Sequence, residues 1–166
     1  MKKTIAAFLL AASVATPAVA GDGPFYIGAE VGKDHFGVLG GYKFNEMFAL
    51  EMNYNMFKDE TVDLGWMRTD IEAWGMGVSA VGTFPIAPVP GLSVFGKAGL
   101  EYVEVETTIT YDGWWGTETM TATSDDIEFA GSLGAQYDIT SNFSVRGGVH
   151  VKGHADSVYA NAIYSF

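Results

Sequence analysis

The feature that most constrains the fold is a two-residue alternation that continues to the last residue of the chain. From Val158 to Phe166 every second residue is apolar or aromatic, and Asn161 and Ser165 lie between them. Successive side chains of a β-strand point to opposite faces, so one face of this strand is wholly apolar. The edge of such a strand must pair in an apolar medium, and closure onto the first strand of a barrel provides the partner. Taken alone, the segment is also consistent with the last strand of a soluble β-sandwich.

The N-terminal residues predict export. Two lysines precede the short apolar run 5–14, and the small residues Ala18 and Ala20 frame a cleavage site. The run has the form of a signal-peptide core and is too short to span a bilayer. We therefore predict that residues 1–20 are a cleaved secretory signal peptide and that residues 21–166 form one domain.

Composition excludes several classes of protein. The chain has no cysteine, which excludes a disulfide-stapled scaffold and a cysteine-based metal site. Its net charge of −11 argues against nucleic-acid binding, which needs basic patches. After the signal peptide no segment approaches the roughly 18 apolar residues of a transmembrane helix. No cofactor is expected.

Alternating runs recur along the whole chain and are separated by turn residues. Their apolar faces span about 9 to 11 residues, the length of a tilted membrane-spanning strand, and aromatic residues lie near their ends. The two long connections, 58–68 and 103–124, both follow odd-numbered runs, as in outer-membrane barrels with both termini in the periplasm. The eight runs are 25–32, 36–44, 48–56, 74–84, 92–102, 127–137, 143–152 and 157–166.

The faces opposite the apolar ones carry charge, and this decides which face points outward. Eight buried charges would be prohibitive in the apolar core of a soluble barrel, whereas in a narrow polar lumen they pair with one another and with water. The pattern therefore predicts an all-β, eight-stranded antiparallel up-and-down transmembrane β-barrel. The predicted lumen charges are Glu30, Lys43, Glu51, Lys97, Glu101, Glu128, Arg146 and Lys152.

The sequence resembles the small eight-stranded outer-membrane barrels of the OmpA/OmpX-like family over essentially all of residues 21–166. The stretches that carry the resemblance are 26–32, 40–46, 49–54, 95–102 and the C-terminal Tyr164-Ser165-Phe166. The resemblance implies residence in the bacterial outer membrane, contact with outer-membrane lipid and lipopolysaccharide, and insertion by the barrel-assembly machinery. Tyr164 and Phe166 fit the assembly signal, although Asn161 stands where the family often has glycine. No peptidoglycan-binding domain is expected, since the sequence ends at Phe166.

The resemblance also suggests that Glu51, Lys97, Glu128 and Arg146 form an internal salt-bridge network. Such a network has two interpretations. It gates a narrow water path, or its members satisfy one another and make the barrel rigid. We favour the second, because an eight-stranded barrel encloses little more than its own side chains.

The long connections suggest possible contact sites. Their acidic residues are suitable ligands for Ca²⁺ or Mg²⁺, but no recognised spacing is present and a solvated surface is the simpler interpretation. Threonine-rich arms on both sides of 112–116 predict a hairpin that stands above the membrane. Tyr111, Trp114 and Trp115 at its tip form a candidate contact site for a partner, or they fold back over the barrel mouth.

The histidines do not predict chemistry. His150 and His154 share a face, but four residues of strand separate them by about 13 Å, too far to share a metal ion. The sequence 154–157 contains the residue types of a catalytic triad, yet neighbouring strand positions rarely assemble one. We therefore predict no catalytic and no metal-binding residue. The predicted function is a structural or surface-interaction role with an unidentified extracellular or host partner, and the alternative is a narrow channel through the charged lumen.

Overall fold

The fold consists of strands that follow one another antiparallel along the chain. The computed structural model describes residues 23–113, 116–152 and 155–166, so the predicted signal peptide lies outside the described residues. No helix in this described part is long and apolar enough to cross a membrane. The strands are β1 (Phe25–Gly32), β2 (His35–Lys43), β3 (Phe48–Phe57), β4 (Glu60–Asp63), β5 (Met67–Pro85), β6 (Leu92–Gly113), β7 (Gly116–Asp138), β8 (Phe143–Lys152) and β9 (Ala155–Ser165).

Eight of the strands pair in a ring. Each strand of the ring is bonded to two neighbours, in the order β3-β2-β1-β9-β8-β7-β6-β5, and β5 pairs back to β3. The first and last strands pair from Tyr26↔Ser165 to Gly32↔Tyr159, which leaves neither edge bare. The predicted all-β, eight-stranded up-and-down architecture is confirmed. The ninth strand, β4, lies outside the ring, and within the described part of the chain its strand partner is the start of β5.

Local turn chemistry explains where the strands end. Between β2 and β3, the Asn45 side-chain oxygen accepts hydrogen bonds from the amides of Met47 and Phe48, both at 2.8 Å. Between β7 and β8, the Thr140 hydroxyl accepts from the amides of Asn142 and Phe143 at 3.3 and 3.0 Å. These side chains satisfy the backbone donors that a tight turn leaves without a strand partner.

The structure differs from the sequence-based prediction mainly in where strands begin and end. The stretch 58–68 was predicted as a loop but contains β4 and the start of β5, joined by a turn in which the Asp63 carboxylate accepts from the Gly65 amide at 2.8 Å. The stretch is too polar to show the apolar alternation by which strands are recognised, although its two strands pair with each other. The strand β2 begins at His35, one residue earlier than predicted. The stretch 103–124 is a hairpin, as its threonine-rich arms predicted, and the arms are continuous with β6 and β7.

The two ends of the barrel differ in height. We call the end at Phe25 and Ser165 the terminal end, and the opposite end the extended end. At the extended end β8 makes its last pair with β7 at Lys152↔Ala130, whereas the β6–β7 hairpin continues to Gly113↔Gly116. The strands β4 to β7 therefore form a four-stranded extended sheet beyond the ring.

Side chains alternate between an exposed apolar band and a buried polar interior. In β3, Glu51 is 1% exposed and the adjacent Met52 is 51% exposed. The interior at the terminal end is filled by an apolar cluster of Tyr26, Leu39 and Ile163. Gly41 makes room for this cluster, because a Cβ there would overlap the Tyr26 ring.

Candidate functional site: the lumen and the extended sheet

A single buried carboxylate, that of Glu51, organises one half of the lumen. It lies on β3 and accepts hydrogen bonds from Arg146 Nη1 at 2.8 Å, from the Tyr26 hydroxyl at 2.9 Å and from Lys97 Nζ. Both cations are within salt-bridge distance, and their side chains are almost fully buried. The four residues come from β1, β3, β6 and β8, so this hub ties together strands from all around the ring.

Arg146 makes further contacts that fix its position. Its Nε and Nη2 atoms donate to the side-chain oxygen of Gln136 at 3.2 and 3.1 Å. Its guanidinium lies 4.7 Å from the centre of the Phe95 ring, a cation–π distance. Buried ionic groups that are held on several sides make a structure rigid and do not move easily.

A second cluster lies around Glu30 on β1. The Nε2 atoms of His35 and His150 both donate to Oε1 of Glu30, at 3.1 and 3.0 Å. The other ring nitrogen of His150, Nδ1, hydrogen-bonds to the Ser132 hydroxyl at 2.8 Å, and Tyr159 stacks on the ring at 3.9 Å. All three titratable residues are buried. Their ligand-type atoms lie within 4.8 Å of one another, so this cluster has the residue types and spacing to hold a metal ion.

The two clusters border a small polar cavity. Glu30, His150, Lys97 and Glu101 are among its lining residues, and its volume of about 20 Å³ is enough for an ordered water. The buried Oδ1 and Nδ2 atoms of Asn161 have no hydrogen-bond partner among the described protein atoms, so a water molecule could satisfy them. The lumen therefore has room for water beside Glu30 and is filled by side chains at the terminal end.

The remaining predicted lumen residues are placed as follows. Glu101 is buried and accepts from Asn55 Nδ2 at 3.2 Å. Lys43 ends β2 at the terminal end and is exposed at the mouth of the lumen, where its Nζ donates to the buried Ser165 Oγ at 2.8 Å and lies 5.8 Å from the centre of the Tyr26 ring. Glu128 was predicted in the internal network but is exposed, because it lies on β7 beyond the last β8 partner. The side chain of Lys152 lies outside the described residues.

A change of polarity on the outer face marks where the apolar band ends. Along this face of β6, Leu100 and Tyr102 are followed by Glu104, Glu106 and threonines. At the change, the Trp74 indole and the Tyr102 hydroxyl both donate to the Glu104 carboxylate at 3.2 Å. Tyr54 stacks on Trp74 at 5.8 Å. Aromatic side chains with one polar end are typical of a membrane–water interface.

The extended sheet has an edge without a strand partner. No strand among the described residues pairs with the outer side of β7 over residues 118–129, which we call the β7 edge. The extended sheet also carries exposed apolar side chains, including Met120 on β7. Trp66, in the turn between β4 and β5, lies beside Tyr111 of β6 with ring centres 6.4 Å apart. Of the predicted contact residues, Tyr111 is thus in the extended sheet, and Trp114 and Trp115 lie outside the described residues.

The predicted assembly residues lie at the terminal end. The Tyr164 side chain is exposed, and its ring meets that of Phe166 edge-on at 5.3 Å. The Phe166 amide donates to the Phe25 carbonyl at 3.1 Å, so the final residue is bonded to the first strand.

Sequence reasoning missed several residues of the lumen clusters, among them His35 and Tyr26. It weighed His150 only against His154, whereas His150 lies with His35, whose inward orientation follows from the β2 alternation once the strand is extended by one residue. It also missed Tyr26, which continues the polar face of β1 toward the terminal end. Gly32 makes room for the His35 ring, since a Cβ there would overlap it.

The comparisons with known proteins agree with this architecture. The sequence matches the family of outer membrane protein β-barrel domains over residues 4–163. A comparison with curated protein sequences finds no match to this chain.

Solved structures of small barrels are similar in fold. The N-terminal β-barrel domain of Pseudomonas aeruginosa OprF is 17% identical, with a TM-score of 0.58 over 88% of this chain and 99% of that one. Neisserial surface protein A is 16% identical, with a TM-score of 0.61 over 86% and 97%. Yersinia pestis Ail in a phospholipid nanodisc is 14% identical, with a TM-score of 0.52 over 87% and 100%. At sequence identities this low, the similarity shows a shared fold and nothing further.

Proposed function

Because this chain belongs to the family of outer membrane protein β-barrel domains, we propose that it is a non-catalytic outer-membrane barrel that binds a basic, extended polypeptide segment along the β7 edge. The observation that carries the proposal is the row of backbone groups over residues 118–129 that lacks a strand partner among the described residues. In this proposal residues 1–20 are a cleaved signal peptide, and the barrel-assembly machinery inserts the chain with Tyr164 and Phe166 as its signal.

In this proposal the unequal ends of the barrel set its orientation in the membrane. Outer-membrane barrels have short turns on the periplasmic side and long connections outside. The terminal end, with its short turns, is then periplasmic together with both termini. The extended sheet stands outside, above lipid and the lipopolysaccharide head groups, with Trp74 and Tyr102 at the interface.

An exposed edge supports binding of an extended segment. A long edge strand offers donors and acceptors that another chain can pair with, and natural proteins usually block such edges. Strand addition of this kind takes its affinity from main-chain hydrogen bonds and its specificity from the side chains. Here the edge carries Glu118, Asp125, Asp126 and Glu128, so charge complementarity favours a segment with lysine or arginine.

The alternative function, a narrow channel, is less well supported. Tyr26, Leu39 and Ile163 fill the terminal end, and the Glu51 hub crosses the lumen above them. An ion path would require these groups to move, whereas each is held by several partners. Planar-bilayer recordings test this directly. We expect a correctly folded barrel to be silent, and reproducible steps that change with Lys97→Glu would make it a channel.

The binding proposal is tested with peptides on the purified barrel in neutral-lipid nanodiscs. A peptide of alternating lysine and valine should bind, whereas its glutamate counterpart and a form methylated on alternate backbone nitrogens should not. Glu118→Lys with Glu128→Lys should abolish binding. Glu106→Lys, which reverses one charge on the paired strand β6, is the control and should bind. Equal binding of the methylated peptide, or pairing of two barrels through this edge instead, would refute the proposal.

A further inference from the structure

We propose that Glu30, His35 and His150 form a binding site for one divalent transition-metal ion of the zinc class inside the lumen. The site is separate from the β7 edge and does not depend on the proposed function. It combines two imidazoles and one carboxylate, a ligand set that suits zinc and its neighbours in the first transition row.

The geometry already matches such a site closely. Both imidazole Nε2 atoms aim at the same carboxylate oxygen, at 3.1 and 3.0 Å. Ligand atoms around a tetrahedral zinc ion, with bonds of about 2.0–2.1 Å, lie about 3.3 Å apart. Small side-chain rotations would therefore admit an ion between the three ligand atoms, with the Nε2 proton of each imidazole moving to Nδ1 of the same ring. The centres of the His35 and His150 imidazoles are 5.6 Å apart. The two residues lie on β2 and β8, and both side chains reach Glu30 on β1.

The surroundings support the ion in the ways that metal sites require. The Ser132 hydroxyl can accept a hydrogen bond from a protonated Nδ1 of His150, and this contact supports the tautomer that leaves Nε2 free to bind a metal. The neighbouring cavity offers room for a water as a further ligand.

Charge is the remaining requirement. Lys97 and Arg146 form their salt bridges with Glu51. Among the described residues, the side chains that bond to Glu30 are the two imidazoles. A buried carboxylate with neutral imidazoles carries a net negative charge, which a divalent cation balances. Lys97 lines the same cavity and opposes the ion, whereas Glu101, which also lines it, favours the ion.

The test measures Zn²⁺ binding by calorimetry and uses Co²⁺ as a coloured probe, on the full barrel purified from outer membranes and stripped with a chelator. We expect one ion per barrel, a visible absorption band of four- or five-coordinate Co²⁺, and a raised urea midpoint in the presence of Zn²⁺. Loss of a ligand in His35→Gln or His150→Gln should weaken binding by more than about 100-fold, and Ser132→Ala by about 10- to 100-fold.

Two variants keep the result interpretable. Glu30→Gln retains a hydrogen-bond acceptor for the histidines, so a merely structural cluster would survive it, whereas metal binding should be lost. His154→Gln removes the third histidine and should leave the affinity unchanged. The shift between boiled and unboiled samples on a gel checks that every variant is folded. Binding that does not saturate, that is equal in all folded variants, or that depends on His154 would overturn the proposal.

Discussion

Replacing Glu51 with glutamine should destabilise the barrel more than any other single neutralisation in the lumen. The change keeps the size of the side chain but removes the charge that Lys97 and Arg146 share. Removing one partner of a buried ion pair costs about 3–5 kcal/mol, because the remaining charge is left uncompensated. Two cations lose their partner here, so we expect a loss at the upper end of that range.

The assay is reversible urea unfolding in detergent micelles, followed by tryptophan fluorescence. With a slope near 2 kcal/mol per molar urea, a loss of about 3–5 kcal/mol lowers the midpoint by roughly 1.5–2.5 M. Glu128→Gln removes an exposed carboxylate and is the matched control, expected within about 0.5 kcal/mol of the parent. The triple change Glu51→Leu, Lys97→Met and Arg146→Met removes the whole hub and should recover most of the loss. A free energy of unfolding for Glu51→Gln within about 1 kcal/mol of the parent would refute the reasoning.

Three further outcomes are expected from individual contacts. Tyr26→Phe removes one donor from Glu51 and should cost about 1–2 kcal/mol in the same unfolding assay, and no change would mean that water replaces the hydroxyl. Val78→Arg puts a charge in the middle of the exposed apolar band and should cost about 2–4 kcal/mol in lipid vesicles, while a neutral result would move the band elsewhere. The Thr61 hydroxyl donates to the Asp70 carboxylate and, together with Arg68, lowers the pKa of Asp70. The Thr61–Asp70 hydrogen bond therefore stabilises the β4–β5 pairing above the ordinary aspartate pKa, and this stabilisation is lost as the pH falls through the lowered pKa. Thr61→Val should therefore raise the pKa of Asp70 in an NMR titration, and an unchanged pKa would contradict the assignment.

Alternation predicted the face of each side chain but not its height along the barrel. Glu101 and Glu128 lie directly opposite each other on β6 and β7, and both were predicted to point inward. Glu101 is buried, whereas Glu128 is exposed, because the ring is already open on the β8 side at that height. Height depends on the stagger between strands, which is a property of the closed ring and is not written in any one strand.

The Glu30 cluster was beyond sequence reasoning for the same reason. Glu30 and His150 are 120 positions apart in sequence, and only closure of the ring brings them together. His35 was missed for a local reason, since a polar residue at the first position of a strand resembles the turn before it. The Glu51 hub could be anticipated in part, because a resemblance to known barrels named Glu51, Lys97 and Arg146 together.

The charged lumen gives the barrel a means of fixing strand register. A shift of one residue in β3 would turn Glu51 outward to lipid and Met52 inward. A carboxylate on the lipid face is destabilising, although by less than the roughly 2–4 kcal/mol of an arginine or lysine at the bilayer midplane, and the hub would be lost as well. A barrel with an apolar lumen would pay no such penalty, because an apolar side chain is tolerated both in that lumen and against lipid. Buried charges at Glu30, Glu51 and Arg146 therefore select one register in three separate strands. The extended sheet depends on that register, because the pairs that continue β5, β6 and β7 beyond the ring are set by those within it.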